Sequence, residues 1–286
     1  MKGKASTLFV IVIFIAGLSL LLYPTVSNFF NAWYHSQMIS DYSQQVEQLE
    51  EYEYREEWDK AVAYNEAILD RVSQTSVDAQ TRNLYYSLLN TTGRNIMGYV
   101  EIPSISCTLP ISHGTSENTL LDAVGHLEWS SLPVGGESTH CVISGHRGLP
   151  SSELFTNIDH LEVGDSFYLH VLGQTLEYWV DNIAVVDPYD YSLLTIEEGK
   201  DMVTLVTCTP YGINSHRLLV RGSRVVYAPN TSVTLQVDNE VSGVDVMLVV
   251  PAALVCVVLI VFIFLLIDRK KQRKIGGKAG GEIEES

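Results

Sequence analysis

A mainly β fold, a single closed or nearly closed barrel or sandwich of seven or eight short strands, is what this 286-residue sequence predicts, and three features predict it. From Ile96 onward short β-branched and aromatic runs alternate with Pro, Gly and Asp. Before them, apolar residues recur at helical spacing. At either end lies an uncharged apolar block that can cross a bilayer.

The first block, Thr7 to Tyr23, and the last, Val246 to Ile267, contain no charge, and a hydrocarbon core needs about 20 apolar residues. Lys2 and Lys4 precede the first, and Arg269, Lys270, Lys271, Arg273 and Lys274 follow the second. Cations beside a span stay on the cytoplasmic side, so both termini are expected inside and Pro24 to Gly243 outside. The first block reads as an uncleaved anchor; Thr25-Val26-Ser27 leaves a cleaved signal peptide as the alternative. The outer segment holds 10 basic and 29 acidic residues, so the overall charge of −16 is concentrated there and nucleic acid is excluded as a partner.

Between Asn31 and Val72 two runs, Ile39, Tyr42, Val46 and Leu49, then Trp58, Ala61, Tyr64, Ile68 and Val72, fall at three- and four-residue steps, which predicts helix with one acidic, solvated face. Residues 73–95, rich in Ser, Thr and Asn, read as a linker with one short helix or turn at Leu84 to Leu89. Strands are expected at Ile96–Ile102, Ile105–Ile111, Thr139–Ser144, Phe167–Leu172, Thr175–Val186, Met202–Thr207 and Leu218–Tyr227, with a short helix at Glu117–Val124 and a looser one at Leu193–Asp201. The organisation is therefore a cytoplasmic start (1–6), a membrane helix or signal anchor (7–23), a helical segment and linker (24–95), the β domain (96–228), a juxtamembrane linker (229–245), a second membrane helix (246–267) and a basic cytoplasmic tail (268–286).

Four cysteines occur, and Cys256 lies within the second apolar block. Cys107 and Cys141 sit in strand-like runs, either as a disulfide pair or as small reduced hydrophobes. Cys208 ends an apolar strand just before Pro210, a position at a barrel rim, but a thiol needs a neighbouring base or cation to act as a nucleophile. Among eight histidines, His146 follows a strand and enters the turn Gly145-His146-Arg147-Gly148, which presents its ring at a rim; a packing or surface role is the alternative. Arg217 opens the last strand. Were the strands on either side of the loop after Cys208 antiparallel neighbours, Arg217 would return to the level of Cys208, where a guanidinium can hold an oxyanion; spacing alone favours a surface arginine. No C-x-x-C, H-E-x-x-H or G-x-S-x-G occurs, so no metal, cofactor or serine-hydrolase chemistry is implied.

The run TLVTCTPYGINSHRLLVRGSRV resembles the active-site signature of sortases, and ISGHRG resembles their histidine turn. IPSISCTLPISHG and LFTNIDHLEVGDSFYLHV resemble further sortase segments, so the likeness spans Ile96 to Tyr227. The resemblance implies a closed eight-stranded barrel and a cysteine transpeptidase of a Gram-positive cell surface, with Cys208 as nucleophile, His146 as acid/base and Arg217 as oxyanion stabiliser. Its partners would be pilin or surface proteins with LPXTG-like sorting signals and an amine acceptor. The helical segment before the barrel, the second apolar block and T-C-T-P-Y with H-R-L-L-V resemble class C, the pilin polymerases, whose acceptor is a pilin lysine. Attachment to the peptidoglycan cross-bridge and a noncatalytic membrane scaffold are the alternatives. Many class C enzymes carry an Asp-Pro-aromatic lid before the barrel; residues 73–95 contain none, and Asp187-Pro188-Tyr189 reads as a loop turn.

Overall fold

The computed structural model describes residues 2–69 and 77–225, with side chains from Phe9 onward, in two units. The second apolar block, the juxtamembrane linker and the tail lie outside the described residues. Of the unit formed by Met1–Val26 and Gln236–Ser286, the described part is the start of helix α1 (Lys2–Glu47). Its apolar stretch, with a mean hydropathy of 2.4, is long and apolar enough to cross a membrane.

The unit Ser27–Leu235 holds the rest of α1, helices α2 (Glu51–Leu69) and α3 (Ala79–Ser87), and the β domain. In the latter, β1 (Ile96–Ile102), β2 (Cys107–His113), helix α4 (Glu117–Asp122), β3 (Val124–His126), β4 (Thr139–Ser144), β5 (Ser166–Val171), β6 (Gln174–Val186), β7 (Asp201–Thr209) and β8 (His216–Arg224) follow in order. The strands close into a barrel in the order β1-β2-β3-β4-β7-β8-β6-β5. Closure gives each of these eight strands a neighbour on both sides. Two neighbours, β2·β3 and β4·β7, are parallel; the other pairs are antiparallel.

Several boundaries differ from the sequence expectations for local reasons. The strand expected from Ile105 starts at Cys107, because Pro103–Ile105 forms a 3₁₀ turn closed by Ser106 at φ 50°. The helix expected to reach Val124 stops at Asp122, and Val124–His126 is a three-residue strand. Leu193–Asp201 is not helical: a 3₁₀ turn occupies Ser192–Leu194, and Asp201 already belongs to β7. Part of the linker does fold as α3, which Asp78 caps by accepting from the Gln80 and Thr81 amides.

The helices pin the barrel through buried polar groups. The Tyr42 hydroxyl donates to the Met97 carbonyl (2.9 Å) and accepts from the Leu172 amide (2.8 Å), joining α1 to β1 and to the β5–β6 hairpin. The Asn65 amide donates to Leu132 O (3.1 Å) and accepts from Leu132 N (2.7 Å). Ser27 and Asn31 both donate to the carbonyl of Ser151, in the loop after β4.

Several imidazoles serve as internal struts. His126 is fully buried between the Ser131 carbonyl (2.8 Å) and the Tyr85 hydroxyl (3.0 Å), and burial pushes it down to about 3. His140, between the Thr195 carbonyl and the Thr204 hydroxyl, is lowered by burial too. A histidine whose folded value lies below its unfolded value, about 6.5, binds its proton preferentially when unfolded. Its contribution is therefore intact above that value and is lost as pH falls toward the folded one. Between pH 6.5 and 3, the His126 term alone should reduce unfolding free energy by about 1.4 kcal/mol per pH unit. Urea titrations across that range should show this slope reduced by the same amount in His126→Gln; an unchanged slope contradicts the burial of a neutral ring.

Candidate active site

The site is set by which face of β7 each side chain occupies. Side chains alternate along a strand. Val203 and Leu205 join the main core inside the barrel, whereas Val206 belongs to a second cluster with Val142, Leu194 and Leu219 on the outer face. Two residues beyond Val206, Cys208 shares that outer face. It is half-buried, in the last turn-free stretch before Pro210 ends the strand.

Arg217 of β8 lies directly opposite Cys208 in the antiparallel β7·β8 ladder. Opposed residues put their side chains on one face. The Arg217 guanidinium donates from Nη1 to the carbonyls of Asn214 (3.3 Å) and His216 (3.1 Å), which holds it over the β7–β8 loop.

His146 reaches the same level from the other side. β4 pairs in parallel with β7 up to Ser144 opposite Val206. One residue further, the Gly145 amide donates to Val206 O (3.0 Å) and the Thr207 hydroxyl to Gly145 O (2.8 Å), carrying the contact past the end of the strand. Continued by one more residue, that register would bring His146 level with Cys208. Cys208 thus lies opposite Arg217 on one side, and on the other β7 is tied to Gly145, the residue before His146. The two flanking glycines act differently from each other. Gly148 takes φ +76°, a bend that L residues resist. At Gly145 a Cβ would sit 2.7 Å from the Phe155 ring, so close packing excludes a side chain there.

Below Arg217 on the same outer face opens a groove of about 310 Å³. Its floor includes Ser144, Val206 and Leu219, and Pro188 and Tyr189 from the β6–β7 loop line it as well. The Asp187 turn expected from the sequence is present, with Asp190 N donating to Asp187 O (3.0 Å). Its place in the groove wall was not read from the sequence; the Asp-Pro-aromatic composition was the available signal.

The other thiols are poorly placed for chemistry. Cys107 and Cys141 are both free, so of the two alternatives the reduced pair is the one found and the disulfide is absent. Cys107 packs its Sγ against Leu154 O (3.8 Å) and burial pushes it up to about 12; burial also raises Cys141. His35, His113, His126 and His140 are buried with their rings bonded to backbone carbonyls, and His170 stacks on Tyr99 while bonding Glu101. In such a site a partly exposed thiol can attack an acyl carbon, a guanidinium can hold the oxyanion and an imidazole can exchange a proton with the leaving amine.

Comparison with known proteins bears on this arrangement. A family model described as the sortase domain matches residues 100–225. The crystal structure of sortase C1 from Streptococcus agalactiae superposes with a TM-score of 0.65 at 47% identity, covering 67% of this chain and all of that one (100%). Sortase C of Streptococcus pneumoniae, described with respect to catalysis and pilin substrate specificity, aligns at TM-score 0.59 and 45% identity over 68% of this chain and 99% of its own. Sortase D of Bacillus subtilis is 34% identical over 131 residues, 45% of this chain and 63% of that protein. The chain spans between about two fifths and three fifths of the length of the curated relatives it matches.

Of the three described thiols, Cys208 is expected to be the one that iodoacetamide labels in the folded chain at pH 7. Peptide mass spectrometry checks this, and equal labelling of Cys107 or Cys141 contradicts it.

Proposed function

The chain belongs to the sortase family, and from that premise we propose that it is a membrane-anchored cysteine transpeptidase that cleaves an LPXTG-like sorting signal and joins the new carboxyl end to a pilin lysine. The reading is supported above all by Cys208 lying opposite Arg217 while Gly145, which opens the His146 turn, bonds to Val206 and Thr207 just before it.

In this mechanism the Cys208 sulfur attacks the carbonyl carbon of the signal's Thr. Arg217 N–H groups bear the oxyanion that forms. The C–N bond to the following Gly breaks as His146 protonates the departing amine, leaving a thioacyl enzyme. A lysine amine, deprotonated by His146, then attacks the thioacyl carbon and releases the Cys208 sulfur. Microscopic reversibility lets one imidazole serve both halves. The apolar floor of the outer groove, Val206 and Leu219, suits the Leu-Pro part of an extended signal lying with its Thr toward Arg217.

The pilin acceptor is favoured by the helices that precede the barrel and by the class C relatives, one of which is described with pilin specificity. The apolar stretch of α1 supplies the anchor, and the cations beside both apolar blocks put the barrel outside the cytoplasmic membrane with both termini inside.

Incubating the detergent-solubilised chain with an LPXTG peptide and, separately, a lysine-bearing pilin fragment or a cross-bridge peptide, then identifying adducts by mass spectrometry, tests the reading. The lysine adduct should dominate; exclusive transfer to the cross-bridge peptide overturns the pilin assignment. Cys208→Ala should abolish all products, and isopeptide-linked products persisting in it overturn the nucleophile. Arg217→Lys should lower turnover by about 100-fold, because an ammonium lacks the planar fork. Wild-type turnover in that variant removes the oxyanion role.

A further inference from the structure

The residue after each of the two reacting groups carries a contact that the mechanism above does not use. Arg147 follows His146, and Thr209 follows Cys208. Arg147 donates from Nη1 to the Thr209 hydroxyl (3.3 Å), and its Nη2 pairs with the Asp159 carboxylate. The same guanidinium lies 5.9 Å from the centre of the Tyr211 ring in the β7–β8 loop. Only 9% of the Arg147 side chain is exposed, compared with 35% for Asp159.

A nearly buried guanidinium is costly to desolvate, so such a group persists where its contacts fix geometry. Here those contacts join three segments at the point where the sheet stops helping. The β4·β7 ladder ends at Ser144, and its extension ends at Gly145. His146 therefore lies one residue past the last backbone or hydroxyl bond to β7. Arg147 supplies the next tie. Its other end is fixed, because Asp159 sits in the 3₁₀ turn Ile158–His160, which is anchored by buried Ile158 and Leu161. Tyr211 closes the remaining side, against both the guanidinium and Gly148, where an ideal Cβ would lie 3.0 Å from the ring.

We propose that Arg147 is a positioning residue for the transfer reaction: it brackets the His146 turn to the end of β7 through Thr209 and to the Asp159 turn, and so holds the imidazole beside the Cys208 thiol. It touches neither substrate nor reacting atoms in this role. Substrate binding in the outer groove does not involve it, so its loss acts on turnover and leaves substrate affinity in place.

The test uses the detergent-solubilised full chain, comparing wild type with Arg147→Met and Thr209→Val. Methionine keeps much of the bulk and lets the part-exposed Asp159 turn to water, while valine removes only the hydroxyl acceptor. Two quantities are read, with the thermal midpoint as a folding control: kcat and KM for an LPXTG peptide, and the rate of iodoacetamide alkylation at Cys208 at pH 7. Arg147→Met should lower kcat and alkylation together by about 10- to 100-fold with KM within about twofold of wild type, the scale of a misplaced catalytic group. Thr209→Val should lower both by about threefold, as expected for one modest hydrogen bond. Wild-type kcat and alkylation rates in folded Arg147→Met overturn the proposal, as does a loss confined to KM. Should Arg147→Met not fold, Thr209→Val decides: slowed alkylation supports the bracket and an unchanged rate overturns it. The proposal rests on the transpeptidase reading for its kcat, whereas alkylation does not. If wild type transfers no peptide, the function assigned above fails, and the alkylation ratio still decides the role of Arg147.

Discussion

The parallel pairing of β4 with β7 is the constraint on which the rest of the site depends. Those strands are brought together only after the chain has made β5 and β6, so the pair is non-local. Its register is fixed by burial: Cys141 and Ile143 with Val203 and Leu205 face the main core, while Val142 and Val206 face the outer cluster. A slip of one residue would turn each of these side chains to the opposite face, so both apolar clusters resist it. The same register sets the His146 turn beside the end of β7. The antiparallel β7·β8 ladder then adds Arg217 on the far side with no further long-range condition.

Both faces of this sheet are covered, and that is why function and stability share it. The inner face is an ordinary packed core. The outer face carries a small apolar cluster that supports Val206 and Leu219 as a floor, and the β6–β7 loop raises a wall beside it. The loop that follows His146 is held at its tip by Ser27 and Asn31 of α1 donating to Ser151. It is held at its base by Phe155 N donating to His146 O (3.1 Å). The histidine turn and its loop are thus tied to α1, to β7 and to the Asp159 turn.

How much of this the sequence disclosed follows contact distance along the chain. The long strands were legible because each carries its own run of β-branched and aromatic residues. The opposition of Arg217 to Cys208 was legible only on condition that the strands flanking the loop pair as antiparallel neighbours, which they do; spacing alone favoured a surface arginine. The three-residue strand Val124–His126 was not: it is too short for alternation to register, and a helix pattern runs straight into it. Leu193–Asp201 looked helical from its apolar start, yet Glu197, Glu198 and Gly199 (φ +74°) turn the chain into β7. The relation of His146 to Cys208 could not be read from spacing, because 62 residues and two intervening strands separate the partners of that register. The Pro188–Tyr191 wall was hidden similarly. Its position depends on β6 leaving the sheet beside Arg217, which pairs with Val186.

The central claim is that the residue at position 146 stands level with the sulfur at 208, across neighbouring strands about 4.8 Å apart. Strand neighbours at that spacing lie within the Cα range a disulfide spans, about 4.4–6.8 Å. Mild oxidation of His146→Cys, followed by peptide mapping under non-reducing conditions, measures it most directly. A 146–208 bridge formed in high yield in the folded chain is the outcome this structure requires; a chain that keeps both thiols free, or that bridges position 146 elsewhere, contradicts it.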